Sequence, residues 1–247
     1  MRRLVAVAAL AAVAAAGCGS SGRTEVAPRV TPTPSATPSS SPTPAPTELP
    51  SLRPRPMVPA YHSSIHHVTA AELGKSWRSG CPVAPRDLRA VRVSYYGFDR
   101  AVHTGTLVVH ASVAATVGAV FGRLYDARFP IHRMEPIAAY SGDDDASMAA
   151  DNTSAFNCRA AVSSGTQHWS MHAYGKAVDV NPVENPYLFN GGVLPPNGAS
   201  YTDRGRSAPG MAKPGGTLVR AFAVYGWGWG GSWSSSKDYQ HFSTNGQ

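Results

Sequence analysis

The chain has 247 residues, a formal net charge of +7, 21 prolines and three cysteines. Six arginines and two acids fall within residues 1–56, so only +3 remains for residues 57–247. No basic stripe with interleaved aromatics appears there, so nucleic acid is not an expected partner. About 190 residues lie beyond the proline-rich region, enough for one well-buried domain.

The N-terminus reads as a targeting segment. Arg2-Arg3 precede a thirteen-residue apolar run, Leu4 to Ala16, and the small pair Ala16-Gly17 stands just before Cys18. These are the charged, apolar and small-residue parts of a secretory signal over residues 1–17. The run is shorter than the ~20 residues a bilayer span needs, and no later segment is long and apolar enough for one. A cysteine right after the cleavage site resembles a bacterial lipobox, whose thiol is acylated. Ala15 stands where that motif prefers leucine. The expectation is an exported chain anchored to the outer face of the cell membrane through Cys18. The alternative is an ordinary signal with an incidental cysteine. Residues 28–59 hold 11 of the 21 prolines among Thr, Ser and Ala, a composition that favours extended, solvated backbone. Segment 18–59 is therefore read as a lipidated cysteine plus a stalk, open to O-linked sugar. Its basic residues add about 1 kcal/mol each toward anionic lipid when close to the surface.

With Cys18 assigned to lipid, Cys81 and Cys158 remain, neither in a C-x-x-C pair. In an exported chain two such cysteines pair, the alternatives being free buried thiols or a metal site. Closing that loop contributes up to ~4.5 kcal/mol in the chain-entropy picture.

Thr69-Ala-Ala-Glu72 has capping-box spacing, and Leu73 and Trp77 follow four apart. They predict a short helix ending near Gly80, so residues 60–84 read as a helical extension ahead of a domain over 85–247. Leu88 to Phe98 and Ala101 to His110 are rich in Val, Tyr and Thr and flank Asp99-Arg100, a hairpin pattern. Val113, Val117, Val120, Phe121 and Leu124 have helical spacing over 111–127. A strand is expected over Ile131 to Ala138, and a short helix from Asp143 to Asp145, where acids suit the N-terminus. Further expectations are a short strand at Ala177 to Val180, a helix through Leu218 and Phe222, and a last strand at Tyr239 to Ser243. Strands and helices do not alternate, which points to α+β with a small antiparallel sheet flanked by helices.

Two segments concentrate the chemistry. The first is Ser170-Met-His172-Ala-Tyr-Gly175-Lys-Ala177-Val-Asp179; the second is Asp238-Tyr-Gln-His241-Phe. Imidazole and carboxylate suit zinc, and a catalytic site holds three such ligands with one position open. Gly175 lets the chain turn sharply or approach closely, and Asp179 falls on the short strand. Residues 238 and 241 are an odd number apart, so a flat strand would point them to opposite faces. A turn before the last strand, or a bulge, is required for both to reach one site.

The pattern Ser-x-His-x-x-Gly-x-Ala-x-Asp followed by Asp-x-x-His resembles the zinc D-alanyl-D-alanine carboxypeptidases, a family that includes vancomycin-resistance D,D-peptidases and phage L-alanyl-D-glutamate endopeptidases. The resemblance covers about residues 85–247. It implies a hedgehog/D,D-peptidase-like zinc fold and cleavage of peptidoglycan stem peptides by a monomer. It also implies Zn2+ ligands His172, Asp179 and His241, with Asp238 as the general base. Many relatives have Glu where Asp238 stands, which leans toward the phage-endopeptidase branch. Arg159 matches an arginine that in relatives lies near the substrate carbonyl or carboxylate. An ion pair beside a disulfide is its other reading.

Ser170 is a candidate for loop orientation and substrate contact, not a nucleophile. His168 and His172 have the spacing of an H-E-x-x-H site, but Trp169 replaces the catalytic Glu. His62, His66 and His67 read as solvated, and His103, His110 and His132 as structural. In Tyr225-Gly-Trp-Gly-Trp-Gly-Gly-Ser-Trp233, Trp227 and Trp229 share one face of an extended segment. They are candidates for a substrate-stacking wall, with core packing equally compatible. A non-catalytic wall-binding lipoprotein on the same fold, or a structural lipoprotein with incidental metal, is the competing reading of the whole chain.

Overall fold

The structure, a computed structural model, describes residues 59–161 and 168–247, all within the compact unit Arg55–Gln247. The signal, Cys18 and stalk expected from the sequence lie outside the described residues. Among the described residues no helix is long and apolar enough to cross a membrane.

In chain order the elements are β1 (Ser63–His67), α1 (Ala70–Leu73), β2 (Leu88–Tyr96), β3 (Val102–His110), α2 (Ala114–Asp126), β4 (Arg133–Met134), α3 (Asp144–Ala149) and β5 (Asn152–Thr153). The second half contributes β6 (Ala177–Asp179), β7 (Tyr187–Phe189), β8 (Gly192–Leu194), α4 (Thr217–Ala223), β9 (Gly228–Trp229), β10 (Lys237–Asp238) and β11 (His241–Ser243). They form three antiparallel three-stranded sheets, ordered β1-β2-β3, β10-β7-β8 and β6-β11-β9, and a parallel β4-β5 pair. The α+β expectation holds, with several small sheets in place of one.

The β2–β3 hairpin pairs from Leu88–His110 to Tyr96–Val102 around Asp99-Arg100, as the sequence predicts. Strand parity sorts its side chains into two layers. Val91, Val93, Tyr95, Leu107 and Val109 join the core against Val117, Val120, Phe121 and Leu124 of α2. Leu88 and Val108 face the other way, onto Leu73, Phe156 and Cys158. Helix α4 closes the main core through Phe222, edge-on to Phe121 and stacked on Phe242 at 4.2 Å.

Three expectations need correction. Residues 60–84 are not a separate helical extension, because β1 adds a strand antiparallel to β2 and Tyr61 OH donates to Gly118 O of α2 at 2.5 Å. The capping box at Thr69 and Glu72 is present, but Gly74 ends α1 and a 3-10 turn follows over Gly74–Ser76. The strand expected over 131–138 shrinks to Arg133–Met134, followed by a 3-10 turn at Ile137–Tyr140. Pro136, the cap of that turn, has no N–H to offer a ladder. Asp143 caps α3 by accepting from Ala146 N, and α2 fills the predicted helix after a 3-10 turn at Ala111–Val113.

Cys81 and Cys158 form a disulfide with Cα atoms 5.8 Å apart across 77 residues of sequence. Replacing both by serine is expected to cost roughly 2–4 kcal/mol, read from reversible urea unfolding without reductant.

A second cost is built in at Glu184. Burial, then the charge and hydrogen bonding of Asp151, push its carboxyl up to about 8. Its ordinary value is 4.5, so between these values the folded state holds a proton that the unfolded state has lost. Stability therefore falls as pH rises through that window. Glu184→Gln should flatten this dependence and stabilise the protein at about pH 9 by on the order of 2 kcal/mol, while changing little at about pH 4. Unfolding midpoints at the two pH values check it.

Candidate metal centre

His172 reaches its place through local chain geometry. It lies in a 3-10 turn, Met171–Tyr174, whose cap Ser170 accepts from His172 N through Oγ at 3.2 Å. Ser170 is buried, so its observed work is to orient the loop, as one of the two roles expected of it. Gly175 ends the turn at φ 63°, where a β-carbon would sit 2.6 Å from His110 N. Both the sharp turn and the close approach expected of this glycine are present. His172 Nδ1 donates to Ala155 O at 2.5 Å, which leaves the Nε2 lone pair facing the cleft.

Asp179 and His241 come from sheet register. They stand directly opposite one another on β6 and β11, with Val178 paired to Phe242 in the next position. Parity turns Asp179 and His241 toward the cleft while Val178, Val180 and Phe242 enter the core. His172 Nε2 lies 3.0 Å from Asp179 Oδ2, His241 Nδ1 lies 3.1 Å from Asp179 Oδ1, and the two ring nitrogens are 3.1 Å apart.

All three side chains are buried. Burial alone would raise the Asp179 carboxyl, but the charges and hydrogen bonds of His172 and His241 outweigh it and hold the group well below the usual carboxylate range. Among the described residues, this is the one group of three His, Cys, Asp or Glu side chains placed to hold a metal ion. Zinc bonds of about 2.0–2.1 Å in a tetrahedron put neighbouring ligand atoms about 3.3 Å apart, close to the observed spacing. The donor set, two imidazoles and a carboxylate, fits the ion.

Asp238 is the end residue of β10, which pairs with β7, whereas His241 opens β11 in another sheet. The expected turn before the last strand is thus a step between two sheets, made by Tyr239 and Gln240. Gln240 O accepts from Val180 N at 3.0 Å, and Trp229 Nε1 donates to Tyr239 O at 2.9 Å. The guanidinium of Arg204 lies over the Tyr239 ring at 4.2 Å. This step brings Asp238 and His241 to the same cleft despite their odd spacing.

Asp238 Oδ1 is buried and has no hydrogen-bond partner. Burial first, and the Asp179 charge second, push this carboxyl up to about 7, against the opposing pull of His241 and Arg159. A carboxyl poised there can take and return a proton near neutral pH.

The cleft has a volume of about 400 Å³, and its lining includes Arg159, Trp169, Ser170, His172, Asp179, Trp233, Asp238 and His241. Arg159 makes the ion pair of one reading and lines the cleft that the other requires. Its Nε lies 2.8 Å from Asp144 Oδ2, an ionic contact rather than a directed hydrogen bond, and it also faces the cleft. Burial opposes its charge, but Asp144, Asp179 and Asp238 outweigh burial and hold the guanidinium above its ordinary value.

Trp227 and Trp229 lie in the main core and not along the cleft, so core packing is the observed role. The aromatic walls are instead Trp169 and Trp233. Trp233 follows the 3-10 turn Gly230–Ser232, which breaks the alternation that put Trp227 and Trp229 on one side. His62, His66 and His67 are exposed, as expected. His110 accepts from Ser112 N, and His103 contacts Asp99 at 3.0 Å.

No curated protein and no solved structure matches the chain. A family model described as D-alanyl-D-alanine carboxypeptidase matches residues 164–244, a stretch that contains both motifs and the His172, Asp179 and His241 group. Over that segment the chain is similar to the D-alanyl-D-alanine carboxypeptidases.

Proposed function

We propose that the chain is a zinc peptidase that hydrolyses amide bonds in the peptide stems of peptidoglycan. The observation that carries this reading is the buried convergence of His172, Asp179 and His241 beside the Asp238 carboxyl, whose Oδ1 has no hydrogen-bond partner, at the wall of one cleft. His172, Asp179 and His241 hold the metal. When bound, zinc polarises a carbonyl and makes water nucleophilic near neutral pH.

Asp238 takes the proton released at the attacking water and returns it to the leaving amine. Its burial keeps the acid form accessible near neutrality, so one group serves both transfers. Arg159 presents a permanent positive charge to the carbonyl oxygen or to a substrate carboxylate, positioned by Asp144. Trp169 and Trp233 offer flat apolar walls to an extended peptide or its sugar. The chain works outside the cell, held to the membrane by a lipidated Cys18 and raised on the stalk of residues 18–59.

Chelation should abolish turnover on defined muropeptides, and stoichiometric zinc should restore it, with products weighed by mass spectrometry. The masses also identify the bond cut. Binding to cell walls without release of amino groups would overturn the catalytic reading in favour of a binding lipoprotein.

His172→Ala and Asp179→Asn should each lose zinc, measured by metal analysis after dialysis. Asp238→Asn should keep zinc and lose roughly 10²–10⁴ in turnover. Undiminished turnover would remove Asp238 from the role of base.

A further inference from the structure

Beyond β11 the chain turns back along the cleft, and the turn is tied down at several points. Thr244 N donates to Lys176 O at 3.1 Å, Gln247 N to Asn245 Oδ1 at 3.1 Å, and Trp233 Nε1 to Gly246 O at 2.6 Å. A β-carbon on Gly228 of β9 would lie 2.4 Å from Gly246 Cα, so the turn rests on backbone where only glycine leaves room. At its end, Gln247 O stands 3.0 Å from His241 Nε2, and Asn245 and Gln247 line the cleft.

A main-chain oxygen, carbonyl or carboxylate, only accepts, so this contact requires the proton of the neutral His241 ring to sit on Nε2. Its Nδ1 is then a bare lone pair, aimed at the point shared with His172 Nε2 and Asp179. Ala155 O does the same for His172 from the other side, acting on Nδ1. The two rings thus present opposite nitrogens to the centre, each fixed by a main-chain oxygen.

We propose that residues 245–247 are a positioning element for the metal, with Gln247 O fixing the tautomer and orientation of His241. This rests on the reading that His172, Asp179 and His241 hold zinc. Outer partners of metal-ligating histidines are worth about 10–100-fold in metal affinity. The residues are absent from both motifs that mark the site, and the contact is made by backbone, so side-chain identity at position 247 does not matter to it.

The test measures zinc affinity by competition with a chromogenic chelator. It compares the unchanged chain, a chain stopped at Thr244, Trp233→Phe, and a chain carrying extra residues after Gln247. Stopping at Thr244 should weaken zinc by about 10–100-fold. Trp233→Phe, which removes one tie to Gly246 and keeps an aromatic ring, should weaken it less, and the extended chain should match the unchanged one. Equal affinity in all four would overturn the proposal. Failure of the unchanged chain to take up stoichiometric zinc would remove the metal reading and this one with it.

Should the shortened chain not fold, nitrogen NMR of the zinc-loaded, unchanged protein decides. Zinc on Nδ1 of His241 and a slowly exchanging Nε2 proton are expected. Zinc on Nε2 would overturn the proposal.

Discussion

The structure turns on a carboxylate buried between two imidazoles. Removing a carboxylate from water costs several kcal/mol, and the cost is offset only where partners meet it in good geometry. Asp179 has such partners because β6 and β11 place His241 directly across from it. A slip of one residue would send Phe242 to the cleft and His241 into the core. The apolar face prevents that slip, since Val178 and Phe242 are locked in the main cluster and Phe242 stacks on Phe222. The site's accuracy is therefore a property of hydrophobic packing one residue away on each strand.

The neighbouring carboxyl is placed by a different device. Asp238 and His241 are close in sequence yet belong to separate small sheets, and the Tyr239-Gln240 step between them is held from three sides. Trp229 holds its backbone, Arg204 covers its ring, and Val180 bonds Gln240 O. Trp229 is thereby both a core residue and a support for the site. Arg204 also donates to Ala212 O and Glu184 O, tying the long segment before α4 to this step.

Much of the site was legible because its determinants are local. A capped turn, a left-handed glycine and a three-residue strand lie within Ser170 to Asp179, so residue type and spacing carried the information. The β2–β3 hairpin and α2 were legible for the same reason: their periodicity is long and regular. Strand β1 was not, because Ser-Ser-Ile-His-His holds one apolar residue, and its pairing with β2 is a long-range contact of an edge strand. For Trp227 and Trp229 the sequence showed that the rings share a side but not which side is the core. Trp169, Trp233 and Gln247 O reach the cleft through turns whose direction no periodicity encodes. The Asp151–Glu184 contact likewise comes from topology, with nothing in either residue's neighbourhood to announce it.

The segment before β2 has a larger part in the site than its composition suggests. Cys81 bonds covalently to Cys158, Cys158 N donates to Ser76 O, and Arg78 donates to Cys158 O while its guanidinium covers Trp169. Residue 158 stands between Asn157, whose side chain donates to Asp144, and Arg159, which Asp144 pairs. Three residues earlier is Ala155, whose carbonyl fixes His172. One short run, 155–159, thus carries the support of a candidate metal ligand and the cation of the cleft, and the disulfide fastens it to residues 76–81. The crosslink constrains the unfolded chain, as any would, but its position also ties the run 155–159 at the cleft to the segment before β2. Loss of this anchor would be felt first at Arg159, which adjoins Cys158, and at His172, whose Nδ1 partner is the carbonyl of Ala155 three residues before the crosslink.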